Sequence, residues 1–121
     1  MIFSLILLTT VTGQENSSTM IRKVVIDPGH GGKDPGALSA GGKVKEKDIT
    51  LSVSLKLGEM IKRRYPHIEV IYTRDKDVFI PLDKRSEIAN KNKADLFISI
   101  HVNAVESRQA SGSETFVMGM D

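Results

Sequence analysis

The sequence predicts an α/β fold, a mostly parallel sheet flanked by helices. Two observations carry this. Short β-branched runs alternate along the chain with longer segments whose apolar residues recur at helical spacing, and parallel βαβ units explain that order most simply. The balance is also that of a globular domain. Of 121 residues, 40% are hydrophobic and 26% charged, which excludes a mostly disordered chain.

The elements follow in order. Residues 2–11 form an apolar run followed by a polar stretch. The run is too short for a membrane-spanning helix, which needs about 20 apolar residues. It fits the apolar core of a secretory signal peptide, with Val11-Thr12-Gly13 as the small-residue cleavage region. No Lys or Arg precedes it, and a buried N-terminal strand or a misassigned start codon are the other readings. The expected organisation is a signal peptide over 1–13, a polar linker over 14–21 and a domain over 22–121. Val24-Val25-Ile26 reads as a strand buried on both faces. A glycine-rich loop over 29–42 follows it. Residues 46–65 carry two periods at once. Ile49, Leu51, Val53, Leu55 and Leu57 alternate like a strand, whereas Ile49, Val53, Leu57, Met60 and Ile61 form a helical stripe. The run is too long for a typical strand. Lys62-Arg63-Arg64 and then Pro66 are helix stop signals. A helix is therefore expected. Strands are expected over 68–73, 96–100 and 114–118, and a helix over 82–93 with Leu82, Arg85, Ile88 and Ala89 on one face.

Composition limits the chemistry. Seventeen basic against fifteen acidic residues leave a net charge of +2, and aromatics are 5% with no Trp. Neither a basic surface for nucleic acid nor a stacking platform for single strands is indicated. There is no cysteine, so disulfide scaffolds, thiol nucleophiles and Cys-based zinc sites are excluded. A metal must be held by His, Asp or Glu, and there are three histidines.

In a parallel sheet, function collects at the carboxyl ends of the strands. Asp27-Pro28-Gly29-His30-Gly31-Gly32 follows the first strand, and His101-Val102-Asn103 follows the third. The first helix returns to that edge at Glu46. His30, Glu46 and His101 thus converge from positions 16 and 55 residues apart. A catalytic zinc site uses three such ligands plus water, with imidazole nitrogen and carboxylate oxygen at about 2.0–2.2 Å. Asp27 is a candidate for orienting an imidazole from behind. Taken singly, each histidine also fits a surface residue, and Glu46 fits an acid favoured by the helix dipole. His67 falls at the opposite edge and reads as a solvated turn residue. The glycine-rich loop has neither Gly-x-x-x-x-Gly-Lys-Ser/Thr nor Gly-x-Gly-x-x-Gly spacing. Lys43, Lys45 and Lys47 read as a solvent-facing basic run. Thr73-Arg74-Asp75 with Asp77 reads as a structural ion-pair cluster, and Arg85 and Asn90 as residues of the fold.

These residues resemble a known family. The stretch from Val25 to Ala37, through Asp27-Pro28-Gly29-His30-Gly31-Gly32, is similar to the opening motif of the zinc-dependent N-acetylmuramoyl-L-alanine amidases of the bacterial cell wall. Glu46-Lys47-Asp48-Ile49-Thr50-Leu51, Tyr72-Thr73-Arg74 with Leu82, Arg85, Ala89 and Asn90, the stretch from Ala94 to Ala104, and Gly112-Ser113-Glu114 match the family in order. The resemblance covers about residues 22–119. It implies Zn²⁺ held by His30, Glu46 and His101, with Asp27 and Asn103 nearby. It implies peptidoglycan or muropeptides as the partner, hydrolysis of the amide between N-acetylmuramic acid and L-alanine, and work outside the cytoplasm, periplasmic or extracellular. It also implies a glutamate general base on a late strand. Neither Glu106 nor Glu114 matches that position, so the base is expected beyond Asp121 and the sheet is expected to be incomplete at its C-terminal edge. The alternative of another class is a non-catalytic zinc- or muropeptide-binding remnant.

Overall fold

The computed structural model describes residues 20–103 and 112–117. The order is β1 (Lys23–Pro28), α1 (Glu46–Arg64), β2 (Glu69–Tyr72), α2 (Leu82–Lys91) and β3 (Leu96–Ile100). The three strands form one sheet in the order β2-β1-β3, and both pairings are parallel. The expected α/β architecture is therefore present. Its centre is β1, where Val24, Val25 and Ile26 are buried as a continuous apolar run. A strand flanked on both sides and covered on its faces needs that composition.

Both helices are capped by backbone rather than by their own side chains. At the start of α1, the Glu46 and Lys47 N–H groups donate to the carbonyls of Ala37 and Pro35, at 2.8 and 3.1 Å. The glycine-rich loop thus supplies acceptors for N–H groups that a helix start leaves unpaired. At the end of α2, Lys93 takes a left-handed conformation with φ of 51°. Its N–H and that of Ala94 return to the carbonyls of Asn90 and Ala89, which turns the chain into β3.

Three expectations are corrected. The stripe Ile49, Val53 and Met60 is not the buried face of α1; all three are exposed, and Thr50, Ser54 and Gly58 are buried instead. Small residues at i, i+4 and i+8 let the helix lie close to the sheet. A Cβ on Gly58 would fall 1.7 Å from the Tyr72 hydroxyl. On α2, Arg85 and Ala89 are buried but Leu82 is 84% exposed, so that face is anchored by a guanidinium rather than by an apolar stripe. The fourth strand, expected over 114–118, is not formed among the described residues. Among the described residues, 112–117 carry no strand, with Phe116 and Val117 more than four-fifths exposed. A β-prone sequence needs a partner ladder to become a strand. The expected signal peptide over 1–13 and most of the linker over 14–21 lie outside the described residues, as does Glu106. Among the described residues no helix is long and apolar enough to cross a membrane.

Candidate metal centre

The sheet brings the three expected residues together. His30 sits just past β1, His101 just past β3, and Glu46 opens α1. Their donor atoms all lie within 4.8 Å of one another. Glu46 Oε1 is 3.1 Å from His30 Nε2 and 3.1 Å from His101 Nδ1. The imidazoles meet edge to face, with centroids 4.9 Å apart and planes at 80°. Ligands about 2.0–2.1 Å from one tetrahedral ion lie about 3.3–3.4 Å apart; the two spacings to Glu46 are close to that at 3.1 Å each, and all three donors would share an ion by drawing together from within 4.8 Å.

Hydrogen bonds set which atoms of the cluster face one another. Asp34 Oδ2 is 2.8 Å from His30 Nδ1. The hydrogen bond from His30 and the Gly36 N–H hold the Asp34 carboxyl below its usual range. An ionised Asp34 only accepts, so His30 Nδ1 donates to it, and Nε2 is the ring nitrogen turned to Glu46. Burial pushes the Glu46 carboxyl up, but N–H groups of Ala37 and Val102 and the charge of His30 outweigh it, and the net shift is downward. Those amides donate to Oε2 and Oε1 at 2.9 and 2.8 Å. A carboxylate oxygen 3.1 Å from two ring nitrogens is an arrangement that a ring proton or a metal cation can bridge.

The loop holding His30 is built for that geometry. His30 adopts φ of 60°, an uncommon backbone conformation for a residue with a side chain. Reciprocal bonds between Gly31 and Asp34 close the turn. Two buried arginines grip its carbonyls. Arg85 donates to Pro28 and His30 at 2.8 Å each and to Asp27 Oδ1 at 2.8 Å. Arg74 donates to Pro28 at 3.0 Å, Gly29 at 2.7 Å and Lys47 at 2.9 Å. Gly29 and Gly36 leave room for the donors. A Cβ on Gly29 would fall 2.4 Å from His101 Cε1, and one on Gly36 would fall 2.6 Å from His30 and 2.7 Å from Glu46 Oε2.

Three sequence expectations change. Asp27 orients no imidazole. Its carboxylate accepts from Thr73 at 2.6 Å, Arg85 at 2.8 Å and Ser99 at 2.8 Å, because β1 places it between the neighbouring strands. Asp34 is the carboxylate on His30, which the sequence reading passed over; an acid four residues after a histidine in a glycine-rich turn is the signal for it. Lys47, expected in solvent, is buried and pairs with Asp77 at 2.6 Å, while Lys43 and Lys45 are exposed. The ion-pair cluster expected of Arg74 with Asp75 and Asp77 is not formed among the described residues: Arg74 donates to carbonyls and to Thr50, Asp77 pairs with Lys47, and Arg85 serves the fold through Asp27. Asn103 is exposed two residues past His101, and His67 is exposed with its ring edge-on to Tyr65.

Asp34→Ala is expected to weaken metal binding about 10–100-fold, the usual effect of removing a carboxylate behind a ligating histidine. Competition with a chromophoric chelator measures it, and unchanged affinity would remove Asp34 from the site.

Comparison with known proteins gives one consistent answer. The profile of the Amidase_3 family, N-acetylmuramoyl-L-alanine amidase, matches residues 24–120. The chain is 44% identical over 95 residues to N-acetylmuramoyl-L-alanine amidase AmiC of Escherichia coli O6:H1, covering 78% of this chain and 22% of that protein. It is 45% identical over 97 residues to an endolysin of Bacillus phage SPP1, covering 80% of this chain and 34% of that protein. Among solved structures, it is similar to the catalytic domain of CwlV from Bacillus (Paenibacillus) polymyxa var. colistinus, with TM-score 0.67 and 42% identity over 72% of this chain and 48% of that one. The CwlD amidase of Clostridioides difficile, solved with the GerS lipoprotein, gives TM-score 0.69 and 36% identity over 74% and 52%. The chain spans about a fifth to a third of these curated relatives and about half of these solved chains.

Proposed function

The chain belongs to the N-acetylmuramoyl-L-alanine amidase family, and from that premise we propose that it is the zinc-binding part of an exported enzyme that hydrolyses the amide between N-acetylmuramic acid and the L-alanine of peptidoglycan stem peptides. The observation that carries this reading is the convergence of His30, Glu46 and His101 within 4.8 Å. With no cysteine in the chain, two imidazoles and a carboxylate are a borderline-hard donor set that suits zinc.

Zinc held by His30, Glu46 and His101 would supply Lewis acidity, the capacity to polarise an amide carbonyl and to make water a usable nucleophile near neutral pH. The chain's own residues prepare that chemistry. Asp34 fixes the proton of His30 on Nδ1 and leaves Nε2 for the metal. The amides of Ala37 and Val102 keep Glu46 ionised and immobile. Arg74 and Arg85 hold the backbone of Pro28, Gly29 and His30, so the first imidazole is positioned before any substrate arrives. Asn103, exposed beside His101, is proposed to lie next to bound substrate. The general base is proposed to lie beyond Asp121. Residues 1–13 are proposed to act as the export signal, which places the enzyme in the periplasm or outside the cell.

The test is release of free stem peptides from purified cell wall. Residues 1–121 are expected to be poorly active. The product extended to the next stop codon is expected to be faster by about 10²–10⁴-fold, the usual contribution of a positioned general base. Equal rates would place the base within residues 1–121 and bring Glu106 and Glu114 under test. No release by either, with zinc bound, would favour a binding role.

A further inference from the structure

The metal centre occupies the carboxyl edge of the sheet, and the opposite edge has its own chemistry. Both helices run back against the strands, so both end at the amino edge. The last turn of α1 carries Lys62, Arg63 and Arg64. Lys93 lies in the turn from α2 into β3, and Arg22 at the entry to β1. Backbone bonds tie this edge together: Glu69 N–H to the Arg22 carbonyl, Asp95 N–H to the Lys23 carbonyl, and Ile68 N–H to the Tyr65 carbonyl.

The charge there is one-sided. Arg22, Lys62, Arg63, Arg64 and Lys93 are exposed and form no ion pair among the described residues. Glu59, a turn before Lys62 and Arg63, is exposed and forms no ion pair among the described residues, while the other nearby acids are engaged. Glu69 pairs with Lys23 at 3.1 Å, and Asp95 accepts the N–H groups of Arg22 and Lys23 at 2.9 Å each. Helix dipoles favour cations at the end of α1 but give no reason for Arg22 or Lys93, which lie at strand entries. Exposed apolar groups are interleaved with the cations: Met20 at 61%, Ile21 at 39% and Tyr65 at 46%. Arg64 stacks on Tyr65, 5.6 Å from the ring centroid.

We propose that this amino edge is a docking surface for an anionic lipid bilayer, which holds the protein with its metal centre facing away from the membrane. Cations alone would serve any polyanion, but cations interleaved with exposed Met, Ile and Tyr match a surface that has both charged headgroups and an apolar layer beneath. The contact is peripheral and independent of the proposed reaction. β1 is six residues long, so the metal centre stands about 20 Å from the docked edge. Each Lys or Arg near an anionic surface raises affinity about fivefold.

The test is co-sedimentation of the whole 121-residue chain with phosphatidylcholine vesicles, with and without phosphatidylglycerol. The unaltered chain is expected to bind the mixed vesicles at least about 10-fold more tightly than pure phosphatidylcholine, and to lose most of that at about 0.5 M salt. The triple variant Arg22→Glu, Arg63→Glu, Arg64→Glu is expected to bind at least about 10-fold more weakly, with its circular dichroism and zinc content unchanged. The charge-matched variant Lys43→Glu, Lys45→Glu, Lys76→Glu, on the metal-centre edge, is expected to bind as the unaltered chain does. Equal binding to both vesicle types would overturn the proposal, as would full binding by the amino-edge variant or an equal loss in both variants. Preferential capture by inorganic polyphosphate in solution would also overturn it, in favour of a soluble polyanion.

Discussion

Replacing any one of His30, Glu46 or His101 by alanine is expected to leave the chain without stoichiometric zinc after gel filtration. The loss should exceed the about 10–100-fold attached to residues behind a ligand, because one of three donors is gone. Glu46→Ala has a second effect, since the Ala37 and Val102 amides lose their acceptor. Glu46→Gln separates the two. Its amide keeps an oxygen for one N–H but gives up the negative charge, so metal binding should fall while the fold stays. His67→Ala is the control, since His67 is an exposed turn residue at the other edge, and it should keep its metal. Zinc retained by all three alanine variants would mean that the ion sits elsewhere.

Arg85→Met is expected to destabilise the fold by about 3–5 kcal/mol, the range for removing one partner of a buried ion pair. Asp27 is 4% exposed and Arg85 5%, and the guanidinium also serves the carbonyls of Pro28, His30 and Ile80. Methionine fills much of the volume but offers no donor. Asp27 would keep Thr73 and Ser99, yet its charge would be uncompensated and three carbonyls would lose a donor. A loss of this size is a large fraction of the stability of a small domain, about 5–15 kcal/mol. Urea unfolding measures it, and Arg85→Lys should restore only part, since one ammonium cannot span the same acceptors. A change under about 0.5 kcal/mol would show the cluster to be dispensable.

The meeting of His30, Glu46 and His101 was legible because it depends on topology. Two histidines after parallel strands and an acid at the start of the returning helix must meet at one edge, whatever the packing details. Asp34 was not legible, because its role depends on His30 turning into a left-handed conformation and bringing Nδ1 onto a carboxylate four residues on. Asp27 was misread for the complementary reason. On β1 it lies opposite Ser99 in the strand register, and cross-strand partners cannot be read from one segment. The buried side of α1 was misjudged because an apolar stripe is the usual guide to a core face. Here Glu46, Lys47 and Thr50 fix the rotation of the helix through the site loop, and the small residues Ser54 and Gly58 follow on the same side.

One metal ion held by two imidazoles and one carboxylate has its own spectroscopic signature. Zinc K-edge X-ray absorption on the metal-loaded chain tests for that ligand set most directly. The expected spectrum has scattering from two imidazole rings and nitrogen or oxygen ligands at about 2.0–2.1 Å, with one imidazole lost in His30→Ala and in His101→Ala. A spectrum with fewer than two imidazoles in the unaltered chain, or one that neither substitution alters, would contradict it.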